Sequence, residues 1–159
     1  MDYKKVERKI NDIELKCPIE AGVEILVYNI LDYAFDSENL SVVDINSIWK
    51  NKDSRLTSDY GIADIALLSN DFVWSQENKG KVYGVVEVKY LDDKLDVGYI
   101  GHITKYPHFL YTNGLKWIYY YNGNENWTIE INEDTYNKYT ISEDRYKKLI
   151  ELLKDIKFN

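Results

Sequence analysis

Three charged residues interrupt apolar segments near the middle of this chain. Asp64 lies within GIADIALL (residues 61–68), and Glu87 and Lys89 lie within VYGVVEVKYL (residues 82–91). Burying a charged side chain costs several kcal/mol unless the group is paired or binds a metal ion. Two carboxylates supply the oxygen ligands that Mg²⁺ prefers, and a nearby ammonium can position a water molecule or stabilise negative charge. These residue types therefore suit metal-assisted hydrolysis of a phosphodiester.

The spacing of these residues brings them together if both segments are strands. Side chains alternate between the two faces of a strand, so Glu87 and Lys89 project to the same face. An isolated Glu-x-Lys pair is more often an ion pair on a solvent-facing strand. Asp64, set in the preceding apolar run, favours a functional site instead. If the two runs pair as a long-looped hairpin, both carboxylates and the ammonium converge.

The remaining sequence predicts the elements that would hold this group. Apolar residues at steps of three and four predict a helix over residues 18–35, with Pro18 in its first turn. A second helix is predicted over residues 97–112, kinked or divided at Pro107. Ser142 begins a last amphipathic helix as its N-cap. Besides the two apolar runs, further strands are predicted over residues 40–49 and on both sides of an Asn-Gly turn within residues 115–132.

These elements predict an α/β protein: a single domain with a central mixed β-sheet flanked by helices. The length of 159 residues is enough for one compact unit with its own core. The single cysteine, Cys17, and an N-terminus without an apolar signal segment predict a reducing, cytoplasmic location. No apolar stretch is long enough to span a bilayer, so a membrane role is not expected.

The net charge of -7 disfavours a protein that binds nucleic acid through a broadly basic surface. A local patch is the alternative source of affinity. Candidate nucleic-acid contacts cluster beside Trp49 just before the Asp64 segment, with further lysines later in the chain: Lys50, Lys52, Arg55, Lys94 and Lys105. A solvated charged loop is the alternative interpretation of residues 49–55, and the presence of Asp53 among the cations supports it.

The order of these motifs resembles the PD-(D/E)XK nuclease superfamily, which has the restriction-endonuclease-like fold. The matching pieces are GVEILVYNIL with Glu24 on the first helix, GIADIALL with Asp64, and VVEVKYL with Glu87 and Lys89. Ala63 stands where the family pattern has a proline before the Asp. The resemblance covers about residues 18–123, and it implies a single nuclease-like domain over residues 1–159, with a C-terminal hairpin and helix over 124–159.

The resemblance implies roles for individual residues. Asp64 and Glu87 would bind Mg²⁺ or Mn²⁺, together with the carbonyl oxygen of Val88, and Lys89 would act on the attacking water. Glu24 would complete the acidic cluster. Glu20 competes for that role because it lies one turn earlier on nearly the same face, although an acid at the start of a helix also stabilises the helix dipole.

Two residues on the predicted second helix, His102 and Tyr106, lie four positions apart and so share a face. The resemblance implies an auxiliary contact to phosphate or to Glu87. A surface histidine and a tyrosine at the edge of the core explain the same spacing equally well. We expect His108 to be an ordinary surface residue. The run of tyrosines from Tyr119 to Tyr121 lies in a strand and is expected to pack in the core rather than to stack on bases.

Two hypotheses about function follow. The first is a metal-dependent nuclease that acts on DNA in restriction, repair or mobile-element biology, with a protein partner supplying recognition. Small members of the family that it resembles often dimerise to cut two strands, so this hypothesis also allows a homodimer. The second is a non-catalytic interaction module or inhibitor on the same fold, whose acidic surface meets a basic protein. Because a scaffold needs none of them, the joint presence of Asp64, Glu87 and Lys89 favours the first.

Overall fold

The computed structural model describes residues 1–36, 39–48, 53–96, 98, 100–133 and 139–159. Trp49, Lys50 and Lys52, part of the predicted basic patch, lie outside the described residues. In chain order the elements are α1 (Tyr3–Lys16), α2 (Glu20–Ala34), β1 (Leu40–Asp44), a short 3₁₀ helix (Ser54–Leu56), β2 (Ile65–Ser69), β3 (Val82–Val88), α3 (Ile100–Lys105), β4 (His108–Thr112), β5 (Lys116–Tyr121), β6 (Asn124–Glu130), β7 (Asn132–Glu133), β8 (Thr140–Ile141) and α4 (Glu143–Lys154).

Six strands form one sheet in the order β1-β2-β3-β4-β5-β6. Only β3 and β4 run parallel to each other, and the other neighbouring strands of this sheet are antiparallel. The sheet is therefore mixed, as predicted. The β2–β3 hairpin is also as predicted, and β6 joins the sheet through the predicted Asn122–Gly123 turn, in which both residues have positive φ.

Helices cover the two faces of the sheet differently. Val86 and Val88 of β3 belong to the large core cluster that includes residues of α1, α2 and α4. Val85, one position away, belongs to a separate cluster with Tyr106 and Phe109, beside α3. Since side chains alternate along a strand, Glu87 falls on the α3 side of the sheet. This alternation places the carboxylate of Glu87 next to a short helix instead of in the main core.

The N-terminal helix α1 was not predicted. Its buried residues Val6 and Ile10 recur at helical spacing, and the Asp2 side chain caps the helix by accepting a hydrogen bond from the Lys4 N–H at 2.9 Å. Because most of its positions are charged or polar, the apolar stripe is narrow. This narrow stripe is a weak signal for a helix in the sequence. In the structure, packing against α2 and α4 buries the stripe and stabilises the helix.

The prediction of one kinked helix over residues 97–112 is wrong in its second half. The helix α3 ends at Lys105, and the residues after Pro107 form β4. Proline has no backbone N–H, so it ends the helix, and the following Phe109 and Tyr111 are good strand formers. His108 is consequently buried rather than on the surface. Its Nδ1 lies 2.7 Å from the hydroxyl oxygen of Tyr119.

Smaller corrections concern element boundaries. Helix α2 begins at Glu20 with Ile19 as its N-cap, so Pro18 precedes the helix and Glu20 is its first residue. The first strand ends at Asp44, earlier than predicted. The N-cap at Ser142 is confirmed, since its hydroxyl accepts a hydrogen bond from the Arg145 N–H. In the part of the chain that the structure describes, no helix is long and apolar enough to cross a membrane.

Candidate functional site

Asp64 and Glu87 come together where β2 begins and β3 ends. The sequence places Asp64 inside an apolar run that is predicted to be a strand. In the structure, Asp64 immediately precedes β2. Its backbone N–H donates to the Val86 oxygen at 3.2 Å, and its Oδ2 accepts from the Val88 N–H at 2.7 Å. The backbone contact continues the antiparallel pairing of β2 with β3, and the side-chain contact ties the carboxylate to the end of β3. The hairpin thus fixes the Asp64 carboxylate beside the strand that carries Glu87.

Both carboxylates are largely removed from water, with 8% of Asp64 and 7% of Glu87 exposed. Burial, and then the negative charge of Glu87, raises the pKa of Asp64 to about 7. The charge of Glu24 adds to this rise, whereas the Val88 N–H and Lys89 oppose it. Two buried acids that repel each other form a site whose negative charge a cation would relieve.

Lys89 follows β3 directly, and its Nζ lies 3.0 Å from Glu87 Oε1. About a fifth of the lysine side chain is exposed (22%), so the ammonium stands at the mouth of the site while Glu87 lies deeper. The Lys89 backbone N–H donates to the Thr112 oxygen of β4 at 2.8 Å. The two side chains therefore share one face, as predicted, and they do not form an exposed surface pair.

His102 of α3 lies near the carboxylate oxygen of Glu87 that Lys89 does not contact. It is 1% exposed, and its Nε2 lies 3.7 Å from Glu87 Oε2. Burial, followed by the charge of Lys105, lowers the pKa of His102 to about 4, so the ring is neutral near pH 7. The contact with Glu87 is therefore between a carboxylate and a neutral imidazole rather than an ion pair.

The hydroxyl of Ser58, which the sequence did not single out, orients this ring. Its Oγ accepts from the Tyr60 N–H at 3.1 Å and lies 2.8 Å from His102 Nδ1. The hydroxyl hydrogen is thus best placed on the His102 side, since the Gly61 oxygen is more distant at 3.4 Å. This assigns Nδ1 as an acceptor and turns the Nε2–H toward Glu87.

Glu24, on α2, is half-buried, and its two carboxylate oxygens accept from Asn46 Nδ2 at 3.1 and 3.0 Å. Asn46 in turn is held by its N–H, which donates to Asp44 Oδ1 at 3.0 Å. Of the two competing helix acids, it is Glu24 that raises the pKa of Asp64. Glu20 is the first residue of α2, where an acid stabilises the helix dipole.

Two of the predicted nucleic-acid contacts are used inside the fold. The guanidinium of Arg55 pairs with both oxygens of Asp53 and donates to three backbone carbonyls. Lys105 Nζ donates to the Ser54 and Thr57 oxygens, and burial lowers its pKa. Tyr106 is buried and donates its hydroxyl to the Arg55 oxygen at 3.0 Å. These groups brace the loop before β2, whereas Lys94 is exposed.

The donor set is compatible with a hard divalent cation. Mg²⁺ is commonly held by one or two protein carboxylates and keeps several waters, which matches the pair of Asp64 and Glu87. Within the described ranges, no group of three or more His, Cys, Asp and Glu side chains could hold a metal ion by itself. A cation here would therefore depend on water, substrate or a backbone oxygen such as that of Val88.

Asp64→Asn is expected to stabilise the cation-free protein at alkaline pH. Because the folded state binds the Asp64 proton up to about pH 7 and the unfolded state only to about pH 4, ionisation of Asp64 costs stability as pH rises through this window. Asn cannot ionise and pays no such cost. The free energy of unfolding, measured by urea titration in EDTA, should rise by about 2 kcal/mol at pH 8 and little at pH 4.

Asp71→Asn provides the matched control, since Asp71 is exposed in the β2–β3 connection. The lowered pKa of His102 makes the free energy of unfolding rise with pH, which is opposite to the effect of Asp64. This contribution is present in wild type and in both variants, so it cancels when their free energies of unfolding are subtracted. If the difference in the free energy of unfolding between Asp64→Asn and wild type stays constant from pH 4 to pH 8, the pKa of Asp64 is not raised.

Neither a scan of protein-family models nor a search of curated proteins finds a match to this chain. A search of solved structures finds similarity to a chain in the cryoEM structure of a DrdV–DNA complex, with a TM-score of 0.64 and 15% sequence identity. The likeness covers 98% of this chain but only 14% of that one. At this identity the shared property is the fold: a single α/β domain with a six-stranded mixed sheet flanked by helices, consistent with the predicted restriction-endonuclease-like fold.

Proposed function

We propose that this chain is a metal-dependent nuclease that hydrolyses phosphodiester bonds in DNA. The observation that carries the proposal is the joint burial of Asp64 and Glu87 at one end of the β2–β3 hairpin, with Lys89 bonded to Glu87 at 3.0 Å. A buried acid with its pKa raised to about 7 is unfavourable for the fold and is typical of a functional site. The fold shared with part of a DNA-bound protein supports DNA as the substrate.

Each side chain has a part in this reaction. Asp64 and Glu87, with the Val88 carbonyl, would hold Mg²⁺ or Mn²⁺, which when bound polarises a phosphoryl oxygen and lowers the pKa of a water molecule. The ammonium of Lys89 orients the attacking water and stabilises the charge that develops on the phosphate. The water oxygen bonds to phosphorus and gives up a proton to solvent. The P–O bond to the leaving sugar oxygen breaks, its electron pair stays on that oxygen, and the oxygen takes up a proton from solvent.

Two further residues position these groups. The Nε2–H of His102 faces Glu87 Oε2 and limits the orientations open to that carboxylate. Glu24, held by Asn46, adds negative charge near Asp64 and so strengthens the attraction for a cation. We expect His102 and Glu24 to tune the site, and Asp64, Glu87 and Lys89 to carry the reaction.

The electrostatic attraction of this chain for DNA is expected to be weak. The chain has a net charge of -7, and the cations of Arg55 and Lys105 are engaged within the protein. Recognition by a protein partner or by a second copy of the chain would compensate for a weak electrostatic attraction. The DrdV chain supports this idea, because there the similar fold is 14% of a longer protein that is bound to DNA.

The test is cleavage of plasmid and single-stranded DNA with Mg²⁺, Mn²⁺ or EDTA, read together with thermal unfolding at pH 8. We expect cleavage only with a divalent cation. Mg²⁺ should also raise the Tm of the wild type but not that of Asp64→Asn, because binding to the folded state alone stabilises it. A Tm shift without cleavage would favour the non-catalytic interaction module, and an absence of both would overturn the proposal.

A further inference from the structure

A short turn, Ser58–Gly61, presents Tyr60 at the edge of the candidate site. The Ser58 N–H donates to the Gly61 oxygen at 2.8 Å, and the Gly61 N–H donates back to the Ser58 oxygen at 2.9 Å. The Tyr60 N–H donates to Ser58 Oγ. Three hydrogen bonds within four residues fix the backbone here. The fold therefore sets the direction in which the Tyr60 side chain leaves the chain.

The turn is seated directly on α3. A Cβ atom at Gly101 would lie 2.7 Å from the Tyr60 backbone nitrogen, so glycine is required for this close approach. The ring centroids of Tyr60 and His102 are 5.8 Å apart, and His102 Nε2 is 3.7 Å from Glu87 Oε2. Tyr60 is thus separated from the Glu87 carboxylate by a single histidine ring.

Of the three neighbouring residues Tyr60, His102 and Glu87, Tyr60 is the one that faces solvent. It is 51% exposed, whereas His102 beside it is 1% exposed. The neighbouring Asp59 is exposed as well, and its acid would repel a phosphate rather than bind one. A half-exposed aromatic ring on a rigid turn instead offers exposed ring surface against which a planar group can pack without a cost in loop ordering.

We propose that Tyr60 stacks an unpaired nucleobase next to the scissile phosphate, so that the preferred substrate of the site is single-stranded DNA. This inference rests on the proposed nuclease function and names the substrate class of the same site. In a duplex the base faces are already stacked on one another, and only an unpaired base can place its face against Tyr60.

The charge distribution supports stacking as a contribution to the affinity for DNA. Phosphate neutralisation needs cations that can face the substrate. Among the described candidates, Arg55 and Lys105 are bound to Asp53 and to backbone carbonyls, whereas Lys94 is exposed. Base–aromatic stacking does not depend on net charge and accepts any base. A protein with a charge of -7 can therefore hold a single strand in this way where it would hold a duplex poorly.

The experiment measures cleavage of a fluorescein-labelled single-stranded oligonucleotide and of the corresponding duplex in Mg²⁺. Tyr60→Ala should raise KM for the single strand about tenfold while kcat changes little, and Tyr60→Phe, which keeps the ring, should retain the wild-type KM. Tyr121→Ala is the matched control, because Tyr121 is 44% exposed and pairs with His108, at the end of the sheet away from Glu87. The Mg²⁺-induced rise in Tm should be unchanged in Tyr60→Ala.

The outcomes separate the two proposals. If the wild type cleaves DNA but prefers the duplex, or if Tyr60→Ala leaves KM unchanged, the stacking inference is overturned and the nuclease proposal stands. If Tyr121→Ala raises KM as much as Tyr60→Ala does, the effect is not specific to the turn and the inference is also overturned. If the wild type cleaves neither substrate, the nuclease proposal itself fails.

Discussion

Glu87→Gln is expected to lower the rate of Mg²⁺-dependent DNA cleavage by on the order of 10³-fold. The amide keeps the shape of the side chain but removes one of the two negative charges that would hold the cation. It also leaves the Lys89 ammonium without its charged partner at 3.0 Å. The rate should be measured in single turnover, with enzyme in excess, so that product release does not limit it.

This loss should occur without unfolding. Since the charge of Glu87 raises the pKa of Asp64, its removal relieves repulsion between two buried acids and should leave the Tm at pH 8 no lower than that of the wild type in EDTA. Glu130→Gln is the matched control, because Glu130 is an exposed glutamate on the edge strand β6. Cleavage by Glu87→Gln at the rate of Glu130→Gln would remove Glu87 from the catalytic group.

Lys89→Met is expected to lower kcat by about 10²-fold, with little loss of affinity for the cation. Methionine keeps most of the apolar stem and removes only the ammonium, which in the proposed reaction acts on the water and the developing negative charge. The measurement is single-turnover cleavage together with calorimetric titration of Mg²⁺. A split between an impaired rate and a retained cation affinity distinguishes this role from that of Glu87.

The control for Lys89 lies at the other end of the same strand. Lys81 directly precedes β3 as Lys89 directly follows it, and Lys81 is exposed. Lys81→Met should cleave at the wild-type rate. If Lys89→Met does the same, Lys89 only balances the charge of Glu87. If it binds Mg²⁺ as poorly as Glu87→Gln does, its role is structural.

The central part of the fold was predictable because local patterns determine it. Alternation along a strand places Glu87 and Lys89 on one face whatever the rest of the chain does, and the long hairpin connection brings Asp64 beside them. Helix α2 follows from its continuous apolar spacing. The sequence does not predict helix α1, because few of its positions are apolar and the helix is stabilised mainly by packing against α2 and α4.

Other features depend on contacts between distant parts of the chain. Residues 108–112 could continue a helix or form a strand, and parallel pairing with β3 selects the strand. Arg55 and Lys105 looked available for DNA because a sequence does not reveal which carbonyl groups will surround a cation. Ser58 and Asn46 are ordinary polar residues in sequence, and their roles arise from the positions of His102 and Glu24.

The most direct test of the metal site is a crystal structure of the protein soaked with Mn²⁺, examined by anomalous scattering. We predict a peak between the carboxylates of Asp64 and Glu87, within coordination distance of both and of the Val88 carbonyl oxygen, and the loss of this peak in Glu87→Gln. A fully soaked crystal with no peak there, or with an equal peak in Glu87→Gln, would contradict this prediction.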